Sequence, residues 1–205
     1  AAVVSVVLSD RRNRGSGLLP QRLGPPHAGP ATSHLLGLTA RLQKGPLVGW
    51  SVGLFVLGAA YGSIGSDIEQ MFRDNPDLER FIPMGAGSVT DAYLSYTLAL
   101  GAMMAAGFVI SSVLRMRAEE SAGRLELVLA HPVARTTWVG DHLLVAAVGT
   151  TIVLVASGLG TGVGIAFALG EPDQVLRMVV ASVALLPAAL VLLGLAMACV
   201  GLVPK

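Results

Sequence analysis

Three charged side chains and a glycine fall together in the run Glu119-Glu120-Ser121-Ala122-Gly123-Arg124. The chemistry they suit is recognition rather than bond making. Glu120 and Arg124 stand at i, i+4 with the acid first, the favourable order for a helical ion pair. Ala118, Ala122, Leu125 and Leu129 follow i, i+4, i+7 and i+11, which is a second, apolar face of the same helix. A short helix with both charge signs and an apolar edge can seat in a groove of another protein. Among catalytic patterns, the chain has no GxxxxGK[ST] phosphate loop, HExxH or CxxC. His27, His34, His131 and His142 have no ligand spacing. Cys199 is the single cysteine and lies in an apolar run, so neither an intrachain disulfide nor a thiolate metal site can form. No acidic pair sits inside an apolar stretch, where a proton-coupled transporter or an intramembrane hydrolase usually needs an ionisable group. Catalytic, cofactor-binding and metal residues are therefore expected to be none.

The elements that must position this run are membrane spans. Hydrophobic residues make up 53% of the 205 and charged residues only 13%, against roughly 25% charged in a soluble domain. Mean hydropathy is +0.69. Four apolar stretches, about 46–66, 93–114, 142–169 and 175–203, are each long enough to cross ~30 Å of hydrocarbon. Lipid offers the backbone no hydrogen bonds, so these stretches are helices. The expected fold is all-α: a polytopic transmembrane bundle of four full spans. Gly58/Gly62 and Gly160/Gly164 are GxxxG pairs that can bring helices close. Pro187 is a candidate kink in the fourth span.

Charge distribution orients the bundle. If the spans alternate, 11 of the 14 Lys and Arg residues fall on one side. They are Arg11, Arg12, Arg14, Arg22, Arg41, Lys44, Arg115, Arg117, Arg124, Arg135 and Lys205. The other side holds Arg73, Arg80 and Arg177. By the positive-inside rule, 9–47 and 115–141 are cytoplasmic, and 67–92 and 170–174 are external. The net charge of +1 names no partner, and nucleic acid is not expected.

Further segments follow. Ala1–Leu8 is apolar but far shorter than the ~20 residues of a span, and it lacks the basic flank of a signal peptide. We read it as the tail of a preceding helix, and the chain as a piece of a longer protein. Arg11 to Pro30, rich in Gly, Pro and Arg, reads as a linker. Thr32 to Lys44 sets Leu35, Leu36, Leu38 and Leu42 against Arg41 and Lys44, which suggests an interfacial helix before the first span, with an ordinary helical extension of that span, broken at Gly45-Pro46, as the alternative. Residues 45–205 then form the transmembrane domain. In the external loop, Asn75-Pro76 divides two short amphipathic pieces that read as a solvated cap. In the loop 115–141, Gly123 marks a bend after the second span, since it costs about 1 kcal/mol relative to Ala in a helix. His131-Pro132 closes the short helix.

The E-E-x-x-G-R run, followed by Leu125-Glu126-Leu127-Val128-Leu129, Pro132, Arg135 and Trp138, resembles the ABC-2 type permeases of actinobacterial exporters. The nearest group is that of polyketide-antibiotic exporters and tetronasin-resistance permeases. Gly45-Pro46-Leu47-Val48-Gly49-Trp50 and Gly201-Leu202-Val203-Pro204-Lys205 extend the likeness, with Lys205 where the family usually has Arg. The resemblance covers about 36–205. It implies an ATP-driven exporter of hydrophobic or amphipathic small molecules such as antibiotics, in the cell membrane. ATP and Mg would bind a separate nucleotide-binding ATPase subunit. The other permease half and membrane lipid would be the remaining neighbours, and the chain would itself be no enzyme. The loop helix would be a coupling helix: Glu119, Glu120 and Arg124 would contact the ATPase subunit, Leu125 and Leu129 would fill apolar pockets, and Gly123 would belong to the motif. The family's halves have six helices, so 46–203 would be helices one to four of a second half. Two other readings stand beside this one. A membrane scaffold or sensor subunit would dock a cytoplasmic partner without transport. A membrane enzyme for lipid-linked substrates would need a His, Asp or Arg cluster at one membrane face.

Overall fold

The structure is a computed structural model that describes residues 34–75, 88–121 and 134–202. Over these residues the chain is helical: α1 Leu35–Ser63, α2 Gly65–Asp74, α3 Val89–Ser121, α4 Arg135–Leu169, α5 Gln174–Val183 and α6 Leu186–Leu202. Helices α1, α3, α4 and the α5–α6 pair are long and apolar enough to cross a membrane. The expected all-α membrane bundle is the observed one.

The spans alternate in direction. Leu47 of α1 lies beside Gly149 of α4, and Gly58 lies beside Ser157 and Thr161, so α1 and α4 run the same way. Gly101 of α3 meets Ser157, and Phe108 meets Gly149, so α3 opposes α4. Helix α5 also opposes it, with Val175 against Gly162 and Ser182 against Gly158.

The tightest seam joins α1 to α4, and both GxxxG pairs lie in it. A Cβ added at Gly58 would stand 2.7 Å from the Ser157 carbonyl oxygen, and one at Gly160 would collide with the Phe55 carbonyl. Gly62 faces the Thr161 carbonyl, and Gly164 faces the Ala59 carbonyl in the same manner. Only hydrogen at these positions permits such close backbone approach, which is how helices gain dispersion contacts in lipid. Phe108, Val153, Leu154, Leu54, Ala105 and Ala189 fill the centre. Several polar residues inside are satisfied locally: the hydroxyls of Thr97, Thr150 and Thr161 donate to the carbonyls four residues back. The outward faces are apolar, with Phe167 87%, Val191 71% and Met103 68% exposed. A surface of that kind is stable against lipid tails rather than water.

Helix ends follow from identifiable residues. Ser88 caps α3 by accepting the Asp91 N–H at 3.0 Å. Gly170 ends α4 with φ +74°, donating its N–H to the Ala166 carbonyl at 2.8 Å. Helix α2 matches the first amphipathic piece expected in the 67–92 loop; the second lies outside the described residues.

Two prolines behave differently from each other, and one differs from expectation. Pro187 interrupts the last span: α5 stops at Val183, the carbonyl that Pro187 cannot serve, and α6 opens at Leu186. Pro46 does not interrupt the first. Helix α1 is continuous through Gly45-Pro46, so the segment before Gly45 is an extension of the span rather than a separate helix. The reason is a substitute donor. Pro46 has no N–H for the Leu42 carbonyl, and the Arg115 guanidinium of α3 donates to that oxygen at 3.2 Å. The span limits also grow: α3 runs past 114 to Ser121, and α4 begins at Arg135 rather than near 142. Ala118 to Ser121, expected to open a separate short helix, instead finish α3.

Candidate functional site

Residues 122–133 lie outside the described residues, and with them Gly123, Arg124, Leu125 and Leu129. Glu119 and Glu120 are described, and so are the two helix ends from which the connecting segment departs. Both ends are held by polar side chains. Glu120, in the last turn of α3, pairs with Arg135 at the start of α4. Glu119 Oε2 lies 3.5 Å from His142 Nε2, two turns into α4. The two pairs differ in setting. Arg135 is 66% exposed, whereas the His142 side chain is 6% exposed and that of Glu119 is 16% exposed.

His142 is fixed from its other side as well. Its Nδ1 lies 3.0 Å from the Trp138 carbonyl oxygen, an acceptor, so Nδ1 carries the hydrogen. The imidazole also rests against the Trp138 indole, with ring centroids 4.5 Å apart and a 51° tilt. Trp138 is 4% exposed and packs with Met116 of α3, Leu35 of α1, and Met197 and Val200 of α6. Thus residues of all four spans meet beside the facing ends of α3 and α4. A polar clasp continues the cluster toward α1. Ser112 Oγ donates to Gln43 Oε1 at 3.1 Å in a buried setting, next to the Arg115–Leu42 bond.

The sequence reading put Glu119 and Glu120 on a partner-facing helix. The structure turns both toward α4. It also adds His142, Gln43, Ser112 and Arg115, whose partners lie on other helices. Nothing in their local spacing announces those contacts; only the register of the α3–α4 and α1–α3 pairs creates them. Trp138 and Arg135 belonged to the quoted pattern, and the structure explains them as the hub and the outer clamp.

At the opposite end of the bundle Arg177 donates to Asp91 Oδ1 at 2.6 Å, and Gln174 donates to Glu171 at 2.9 Å. A cavity of about 450 Å³ lies among Ser88, Asp91, Leu169, Gln174 and Arg177. A second, apolar groove of about 540 Å³ runs along α1 and α3, lined by Pro46, Gly49, Trp50, Gly53, Leu57 and Met104. Among the described residues no group of three or more His, Cys, Asp or Glu could hold a metal ion.

An alternating bundle of four apolar helices with lipid-compatible outer faces defines a multi-pass helical membrane protein. The chain belongs to the family of the C-terminal domain of multidrug efflux system permease Rv1217c, whose sequence profile matches residues 33–205. Among characterised relatives, the multidrug efflux system permease protein Rv1217c of Mycobacterium tuberculosis (strain ATCC 25618 / H37Rv) is 34% identical over 211 residues. That match takes in 100% of this chain and 38% of the relative, so the chain spans well under half the relative's length.

Proposed function

We propose that this chain is membrane-spanning machinery of an ATP-driven exporter that moves hydrophobic or amphipathic compounds, antibiotics among them, out of the cell. Family membership supports this reading, and the E-E-x-x-G-R run favours the polyketide-antibiotic and tetronasin-resistance group within it. The observation that carries the reading is the junction of α3 and α4: the two helix ends that flank the motif are paired with each other and packed against α1 and α6. A push on such a junction moves spans, which is what coupling to a remote nucleotide site requires.

In this reading the ATP and Mg sit on a separate nucleotide-binding subunit, and this chain performs no catalysis. The end carrying Arg41, Lys44, Arg115, Arg117 and Arg135 faces the cytoplasm, as the basic bias demands. Arg124, Leu125 and Leu129 meet the ATPase subunit, and the cargo passes between this bundle and the other permease half. The exposed apolar faces and the apolar groove beside Trp50 suit lipid and lipid-like cargo.

The test uses the complete permease reconstituted with its nucleotide-binding subunit. Arg124→Glu with Leu125→Asp is expected to weaken complex formation by about tenfold or more, as loss of central interface residues does. ATP-dependent efflux of a hydrophobic dye from proteoliposomes falls with it, while membrane insertion is unchanged. Unaltered binding and unaltered efflux overturn the docking role of Arg124 and Leu125; a wild-type permease that binds the ATPase subunit but moves no dye overturns the export reading and leaves a scaffold or sensor.

A further inference from the structure

We propose that Glu119 is a positioning residue. It locks His142 and Trp138 into a rigid root for the connecting segment, so that force on the segment reaches the spans without being lost in local bending. This deepens the coupling reading above and rests on it. It departs from the role the motif resemblance implies, in which both glutamates are contacts offered to the ATPase subunit.

The geometry makes the case. Glu119 lies two residues before α3 ends, and its carboxylate points at α4 rather than away from the bundle. The His142 ring is held at three places: Nδ1–H on the Trp138 carbonyl, the ring face on the Trp138 indole, and Nε2 toward Glu119. With Nδ1–H committed, the Nε2–Oε2 contact is favourable only if it holds one proton, on the ring or on the carboxyl. A buried contact of this kind resists distortion, because pulling it apart leaves polar groups unpaired in an apolar surround. That surround is Trp138 with Met116, Leu35, Met197 and Val200, one or more residues from each span. Glu120 and Arg135 form an outer clamp on the same two helices. That clamp is largely exposed and therefore worth little alone, so the proposal places the rigidity in Glu119.

The same geometry yields an unusual rescue. Glu119→Ala removes the partner of Nε2. Glu119→Gln removes the charge but supplies an amide N–H, which can donate to the Nε2 lone pair of a neutral ring whose Nδ1–H is already committed. If Glu119 acts through His142, Gln replaces it. If Glu119 acts by charge on a partner, Gln fails as Ala does.

The experiment uses the complete permease with its ATPase subunit and reads three quantities: binding of the subunit, efflux per ATP hydrolysed, and dipolar broadening between spin labels at Ala118 and Thr136, two exposed positions on the facing helix ends. Glu119→Ala is expected to keep subunit binding within about twofold. It lowers efflux per ATP by roughly fivefold and weakens the dipolar coupling, as loss of a buried polar contact loosens its surroundings. Glu119→Gln is expected to restore both. Loss of subunit binding in Ala and Gln alike makes Glu119 a partner contact and overturns the proposal. So does a label distance that ignores Glu119→Ala, and so does a fall in folded yield with efflux per ATP unchanged. A wild-type permease that binds no ATPase subunit sinks the coupling reading instead, and the label distance still reports on Glu119.

Discussion

The bond between Arg115 and the Leu42 carbonyl shows how one side chain keeps a span intact. A proline inside a helix leaves the carbonyl four residues back without its donor and normally kinks or breaks the helix. Pro46 does leave Leu42 unserved, and Arg115 from the neighbouring span supplies the missing hydrogen bond. Arg115→Leu is therefore expected to destabilise the protein by about 1 kcal/mol, discounted from the cost of a buried loss because Arg115 is exposed. Pro46→Ala gives Leu42 its ordinary backbone donor and should make Arg115 dispensable. A double-mutant cycle on unfolding in detergent is then less than additive, the interaction term offsetting much of the Arg115→Leu loss. Full additivity would mean that the Arg115–Leu42 bond contributes nothing.

Packing between elements rests on the α1–α4 seam, where two GxxxG pairs face each other. Gly164→Val brings a branched side chain against the Ala59 carbonyl and the Ser63 backbone. Overpacking of this sort costs about 1–3 kcal/mol. Gly194→Val, in α6, meets open space and should change thermal stability in detergent hardly at all. Equal effects at the two sites would refute the seam. At this scale the legibility of the sequence was uneven, for physical reasons. The four spans were plain, because hydrocarbon thickness and backbone desolvation leave no other solution for apolar runs of that length. Gly58, Gly62, Gly160 and Gly164 were visible as motifs, but their spacing says only that a face is small, not which face it meets. Pro187 interrupted its span as the sequence suggested. Pro46 did not, because the compensating donor lies 69 residues away and depends on the register of two helices. The two glutamates stood out in the sequence, but their partners on α4 did not. A carboxylate near a helix end can face solvent or a neighbour, and only the position of His142 across the hairpin decides between them.

For the whole molecule, the order of directions matters more than any contact. Alternation gathers Arg41, Lys44, Arg115, Arg117 and Arg135 at the end where α3 and α4 are joined, and it places Arg177, already paired with Asp91, at the other. An arrangement with that asymmetry should insert one way only, since translocating each added base is unfavourable while acids matter little. Single cysteines test it in a Cys199→Ser background, with Thr136→Cys beside the α4 start and Asp173→Cys beside the α5 start, both exposed. A membrane-impermeant maleimide added to intact cells should label Asp173→Cys and spare Thr136→Cys; opening the cells should expose the second site. The reverse pattern would put the connecting segment outside, out of reach of any cytoplasmic ATPase, and the coupling mechanism would fail even with every intrachain contact in place. Labelling of both sites from outside would break the alternation itself. The expected pattern would leave the segment between α3 and α4 on the side where ATP is available, with Glu119, His142 and Trp138 beneath it to carry its displacement into the spans.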